Sequence, residues 1–290
     1  MSERILVTGA TGKVGREVVR VLLDEGITVM GATRSPDQAG EMLPAGTSVV
    51  EFDYDRADTY DAPVEWADRI LVVPPPFDPH VYRTLASFLD WAVQAGTAHL
   101  VLLTAMGVDA DEELPLRRVE RLVAETGVGH TFLRPNVYMQ NFHPGFIGRQ
   151  IRDEGRFTLP VGGARVSLVD ARDVAAVAAR VLTDDRGRHD GAGYTLTGPE
   201  ALDHHEIAAI LSEAAGRPVG YEAGTDEAMA GRLRAAGWPD DQIEVVGRFF
   251  ATIRAGARAA VTGDVASVLG RPARGFAAFA GEHAGAWSKA

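Results

Sequence analysis

The apolar positions of this chain fall in blocks whose period switches between strand and helix. Arg4 to Thr8 is a continuous β-branched run that ends in a glycine turn, and Val14 to Leu23 repeats its apolar residues at helical spacing. Residues 27–34 predict a second strand, and Ser35-Pro36 an N-cap followed by proline at the first helical position. Residues 47–53 predict a third strand, and 68–76 a fourth that three prolines stop. A helix over 81–96 closing on glycine, a strand over 98–107, a helix over 116–128 and a strand over 130–135 complete the alternation.

Strands without polar interruption are buried on both faces, as in a doubly wound parallel sheet. The expected class is therefore α/β, with residues 1–135 as a nucleotide-binding domain. Beyond residue 136 the rhythm loosens. Residues 157–182 predict a strand pair and a helix, and Asp203 with Glu206 makes a capping-box pattern. Residues 136–290 read as a smaller substrate lobe, interleaved with the first unit and closing its cleft.

The stretch VTGATGKVGREVVRVLL joins the first strand to the first helix. Gly9 permits the tight turn, Gly12 lets the backbone approach a phosphate, and Gly15 lets the helix pack on the strand. Thr11, Lys13 and Val14 complete this loop, and the helix dipole favours an anion there. The acid that an NAD site places after the second strand is replaced by Arg34 and Ser35, which suit a 2′-phosphate. NADPH is thus the expected cofactor, ahead of NADH. Asp53 and Tyr54 fall where the adenine edge would lie. Val73, Pro74, Pro75, Thr104 and Pro135 stand at the carboxyl ends of later strands, the ligand edge of an open sheet.

Composition narrows the chemistry. The 290 residues include no cysteine, which excludes disulfides, thiolate nucleophiles and cysteine-held metals. The net charge of -11 disfavours nucleic acid. No apolar run is long enough for a membrane span, so a cytoplasmic protein with a small-molecule substrate is expected, as monomer or homodimer. The adjacent histidines of DHHEI, at 203–207, lack a metal-binding pattern and belong to the capping box; no metal is expected. Asp170 and Asp173 read as the start of a helix.

Met106 and the segment Asn136, Tyr138, Met139, Gln140, Asn141, Phe142 and His143 are the expected substrate pocket, an aromatic and methionine surface for a flat acceptor. Tyr138 is the candidate proton donor, with Thr104 and His143 behind it. The usual tyrosine–lysine pair of carbonyl reductases, spaced by four, is ruled out by counting. The only lysines are Lys13 and Lys289, and glycines 9 and 285 lie four residues before them. Hydride transfer without an acid remains open to acceptors that are already electron-poor.

The segments GATGKVG, LVLLTAMGVD, LRRVERLVAETGVGHTFLRPNVYMQNF, VSLVDARDVAAVAARVL and YTLTGPEALDHHEIAAILSEAAGRPV resemble the NmrA-like, atypical short-chain dehydrogenase family. The likeness is nearest its quinone oxidoreductase and triphenylmethane reductase branch and runs over nearly the whole chain. It implies a Rossmann-type domain with a small C-terminal lobe and NADPH at the glycine loop. It further implies reduction of quinones, aromatic dyes or imines, with two alternatives: a non-catalytic nucleotide sensor that binds a protein partner, or a biosynthetic imine or polyketide reductase. Where isoflavone reductase-like relatives carry a lysine after strand five, this chain has Leu114-Pro115-Leu116-Arg117.

Overall fold

The computed structural model describes residues 3–185 and 187–287, so Lys289 lies outside the described residues. Its strands are β1 (Arg4–Val7), β2 (Thr28–Thr33), β3 (Ser48–Glu51), β4 (Arg69–Val72), β5 (His99–Leu103), β6 (Gly129–Pro135), β7 (Arg156–Leu159), β8 (Ala192–Leu196) and β9 (Gly220–Ala223). Seven of them form one sheet in the order β3-β2-β1-β4-β5-β6-β8, with every neighbour parallel. The order reverses between β1 and β4, which opens a crevice at their carboxyl ends.

The first helices are α1 (Gly15–Asp24), α2 (Pro36–Ala39), α3 (Asp61–Trp66), α4 (Val81–Gln94), α5 (Pro115–Glu125) and α6 (Phe146–Glu154). They are followed by α7 (Ala171–Thr183), α8 (His204–Ala215), α9 (Asp226–Ala235), α10 (Asp240–Arg254), α11 (Asp264–Leu269) and α12 (Phe276–Glu282). α1 and α7 cover one face of the sheet through Val18, Val19, Leu22, Val174 and Val181. α3, α4 and α5 cover the other through Val64, Leu85, Phe88, Val119 and Val123. Both faces are therefore dry, which is why the central strands needed no polar alternation.

A third core, built on Phe142, Phe157, Phe276, Phe279 and Trp287, belongs to the smaller lobe. The chain does not divide cleanly at residue 135. It leaves the sheet there, then returns α7, β8 and α11 to it; β8 pairs with β6 from Thr131↔Ala192 to Pro135↔Leu196.

The strand pair expected within 157–182 is corrected. Only β7 forms there, and its partner is β9, more than 60 positions further on. Val166 and Val169 make isolated bridges to Leu202 and Tyr138 instead. Asp170 caps α7, accepting from Arg172 N at 2.8 Å, and Asp203 and Glu206 close a reciprocal capping box on α8. Among the described residues no acidic or histidine cluster could hold a metal, and no helix is long and apolar enough to cross a membrane.

Candidate functional site

The glycine loop is built for close backbone approach. Gly9 has φ +59°, a left-handed conformation that side chains resist. A Cβ on Gly15 would lie 2.3 Å from the Gly9 carbonyl oxygen, so α1 can start where it does only because that residue has no side chain. Thr8 locks the floor of the loop: its hydroxyl donates to Leu71 O at 3.0 Å and accepts from Val73 N at 2.8 Å. Tyr54 joins this lock, its hydroxyl 2.7 Å from Thr8 Oγ1 and 3.2 Å from Val73 O. Its ring packs edge-on against Phe52 and Phe88, and burial pushes its phenol well above the ordinary value. The Tyr54 hydroxyl is thus spent on protein partners. Asp53 stays half-buried at the β3 end, one oxygen accepting from Asp55 N at 3.1 Å.

At the end of β2, Arg34 and Ser35 are both exposed. Ser35 sits at the N-cap of α2 without a capping bond, and Arg34 has no carboxylate partner among the described residues. Thr11 reaches Thr33 at 3.5 Å, joining the loop to the same corner. Val14 is buried at 4 % exposure under α1, where it supports the loop from inside. Val73, Pro74 and Pro75 follow β4, and the Val73 Cβ would lie 3.2 Å from a Cβ on Gly9. Strand and loop thus touch at the crevice.

The segment after β6 divides in two. Asn136 is buried and gives its amide to Ser167 Oγ (2.8 Å), Ser167 O (3.0 Å) and Arg258 O (2.9 Å). Gln140 donates to Asp170 at 2.8 Å and accepts from Ala171 N at 2.8 Å. Met139 and Phe142 are each 1 % exposed in the lobe core, with Phe142 edge-on to Phe157. Asn136, Met139 and Phe142 therefore do not offer the acceptor-stacking surface expected of them. They pin the second lobe to the first. His143 lies beside His283, with ring centroids 4.8 Å apart; burial, with His283 and Arg152 nearby, lowers its pKa.

Tyr138 and Asn141 face the other way. Tyr138 is half-buried against the core that includes Ala10 and Val14, and its hydroxyl has no bonding partner among the described residues. Burial raises its pKa far above neutrality, so it remains a protonated donor. Asn141 Oδ1 accepts from Lys13 Nζ at 2.7 Å, which ties the lobe to the glycine loop. Crowding by protein atoms and the neighbouring Arg16 charge lower the Lys13 pKa.

Thr104 is turned away from the crevice. Its hydroxyl donates to the fully buried Glu120 at 2.9 Å, and Arg134 grips the same carboxylate through Nε (2.9 Å) and Nη2 (2.8 Å). The role expected of Thr104 as a reacting hydroxyl is therefore corrected: the residue belongs to a buried ionic lock. Met106 is nearly buried, its N–H donating to the buried Pro135's carbonyl at 2.9 Å.

Four residues that sequence patterns did not single out complete the crevice. Phe77 follows the three prolines with φ +54°, a strained conformation for an aromatic residue. Its ring lies 5.8 Å from Phe249 and 6.2 Å from Trp238, and all three are half-buried. Arg258 sits 5.4 Å over Phe249 and donates to the Met106 carbonyl. The Pro-Pro-Pro-Phe run was the one local signal; nothing local marks the others. Two surface depressions lie elsewhere, one lined by Tyr82, Arg118 and Glu125, the other by Glu3, Arg69 and Asp184 at the amino ends of the strands. Neither reaches the glycine loop, so the crevice remains the candidate site on topology and chemistry.

Comparison with known proteins places the chain in a family. The chain is 36% identical over 290 residues to an NAD(P)H azoreductase of Xenophilus azovorans, covering 99% of this chain and 100% of that protein. It is 37% identical over 294 residues to a (4-alkanoyl-5-oxo-2,5-dihydrofuran-3-yl)methyl phosphate reductase of Streptomyces griseus, covering 98% and 99%. The fold matches a Citrobacter sp. triphenylmethane reductase solved with NADP(H), with a TM-score of 0.81 at 23% identity over 98% of this chain and 100% of that one. The sequence model of the NmrA-like family matches residues 1–252. By this match over most of its length, the chain belongs to the NmrA-like family.

Proposed function

We propose that this protein is an NADPH-dependent reductase that passes a hydride to a flat, electron-poor acceptor: a quinone, an iminium or a conjugated aromatic such as an azo dye. The observation that carries this reading is one of placement. The glycine loop and a half-buried aromatic wall stand on the same carboxyl-terminal edge of one parallel sheet. The reductase names of two relatives more than a third identical over nearly their full length support it.

The residues present fit the cofactor. The cradle has no room for a Cβ at Gly15 and holds Gly9 in a left-handed conformation, and Arg34 is an exposed cation without a carboxylate partner among the described residues. The amides opening α1 would face the pyrophosphate, and Arg34 with Ser35 the 2′-phosphate. Bound NADPH supplies the hydride. Phe77, Phe249 and Trp238 present aromatic faces to the acceptor and keep water from it. Tyr138, protonated and without a partner, can donate a hydrogen bond to an acceptor oxygen but cannot serve as a base at neutral pH. With no tyrosine–lysine pair in the sequence, the product takes its proton from water or from a nearby hydroxyl such as that of Tyr138.

The test is NADPH oxidation against quinones, cationic dyes, azo dyes and cyclic imines. Turnover on one class supports the reductase. Tight NADPH binding with no turnover on any would favour the sensor.

A further inference from the structure

Arg258 is held as few arginines in this chain are. Its backbone carbonyl accepts from Ser167 N at 3.0 Å and Asn136 Nδ2 at 2.9 Å, which fixes its main chain over the ends of β5 and β6. Its side chain is fixed as well. Nε donates to Thr252 Oγ1 at 3.1 Å, Nη1 donates to the Met106 carbonyl, and the guanidinium stacks over Phe249. Thr252 spends its own proton on Phe249 O at 2.7 Å, so its oxygen is free to accept.

The charge is not neutralised. Among the described residues no carboxylate pairs with Arg258, and Nη2 has no hydrogen-bond partner. Burial lowers its pKa, in keeping with a cation taken out of water without a counter-ion. Arg217 offers a contrast. It also serves carbonyls, but Nε and Nη2 both close on Trp287 O, at 2.9 and 2.6 Å, and Nη2 reaches Ile151 O at 2.7 Å. Arg217 is a satisfied cap inside the lobe, whereas Arg258 keeps donors to spare at the mouth of the crevice, beside the aromatic wall.

A rigid guanidinium with free donors recognises oxyanions in preference to other groups. We infer that Arg258 reads an oxyanion substituent on the acceptor, so that the preferred substrate is a flat, electron-poor ring system carrying a carboxylate, sulfonate or phosphate. This rests on the reductase reading for the ring system but not for the anion, which the test separates.

The probes are anthraquinone-2-sulfonate, anthraquinone-2-carboxylate and neutral 2-(hydroxymethyl)anthraquinone, reduced anaerobically with NADPH. The quantity read is the kcat/KM ratio of each anionic probe to the neutral one, which cancels partial unfolding. The ratio should fall tenfold or more in Arg258→Met and less in Arg258→Lys, which keeps the cation but loses the fork. For the wild type it should shrink with added salt, a measurement that needs no variant. In parallel, the Kd of each probe is measured with NADP+ present. Turnover with ratios that neither the variants nor salt change overturns the inference and leaves the reductase standing. Arg258-dependent binding of the anionic probes without turnover supports the anion site and counts against anthraquinone-type acceptors, leaving the reductase reading to the wider acceptor panel. Binding that ignores both charge and Arg258 overturns the inference whatever the turnover.

Discussion

Lys13 of the glycine loop donates to Asn141 of the second lobe across 2.7 Å, joining residues 128 positions apart. The contact places the two walls of the crevice in register. Because Lys13 belongs to the glycine loop proposed to hold the pyrophosphate, the contact is expected to couple nucleotide binding to the lobe. Asn141→Ala should weaken NADPH binding by about threefold to tenfold, the worth of roughly one charge-assisted hydrogen bond. The fold should be largely unaffected, because the contact is exposed. Titration calorimetry beside a thermal melt checks both halves of this statement.

Arg34 should decide between the two nicotinamide cofactors. It is exposed and carries no structural contact with a carboxylate among the described residues. Arg34→Ala should raise the KM for NADPH about tenfold or more, leave that for NADH nearly unchanged, and not move the melting temperature. Equal losses with both cofactors would assign the residue another role.

Gly15→Ala should damage the loop itself. The added carbon would meet the Gly9 carbonyl oxygen at 2.3 Å, and backbone cannot yield as a flexible side chain can. A loss of about 2 kcal/mol in stability is expected from such overpacking, together with loss of nucleotide binding. Urea unfolding and NADPH fluorescence titration would read the two effects.

Two buried histidines set an acid limit on stability. His99 and His204 are almost inaccessible to solvent, and burial lowers the pKa of each to about 4. His99 also feels Arg69, and its Nε2 lies 2.9 Å from Thr131 Oγ1. Thr131 donates its proton to His189 O, so the ring nitrogen is the donor and the imidazole stays neutral in the fold. In the unfolded chain both rings take a proton near pH 6.5. The unfolded state then binds more protons between pH 6.5 and 4, and stability falls as the pH drops through that window. By pH 5 the loss is about 2 kcal/mol for each ring as an upper figure. The lowered carboxylates Asp170 and Asp203 act only below their ordinary range, outside this window. Urea unfolding at pH 7.5 and pH 5 should show the difference, reduced in His99→Gln; equal stability at both pH values would refute it.

How legible the site was depends on how local each signal is. The glycine loop and the N-caps at Asp170 and Asp203 are written within a few residues, since turn and cap chemistry acts over one helical turn. The aromatic wall is not. Phe77, Trp238, Phe249 and Arg258 meet only because α9 and α10 fold over the strand ends, and nothing in the sequence around Phe249 separates a wall residue from a core residue. Met139 and Phe142 err in the opposite sense. The position after β6 is both the ligand edge and the start of the lobe core, and an apolar side chain suits either. Thr104 stands at the edge as expected, but Glu120, sixteen residues away, takes its hydroxyl. The partner of β7 was similarly out of reach, because strand pairing over more than 60 residues leaves no local trace.

The most direct test of the account is NADPH consumption by the purified protein across quinones, azo and cationic dyes, and cyclic imines, with NADH and Arg34→Ala run alongside. Turnover is expected on at least one flat, electron-poor class, at least tenfold better with NADPH than NADH, with that preference lost in the variant. Binding of NADPH without oxidation on any acceptor, or equal rates with both cofactors and no effect of Arg34→Ala, would contradict it.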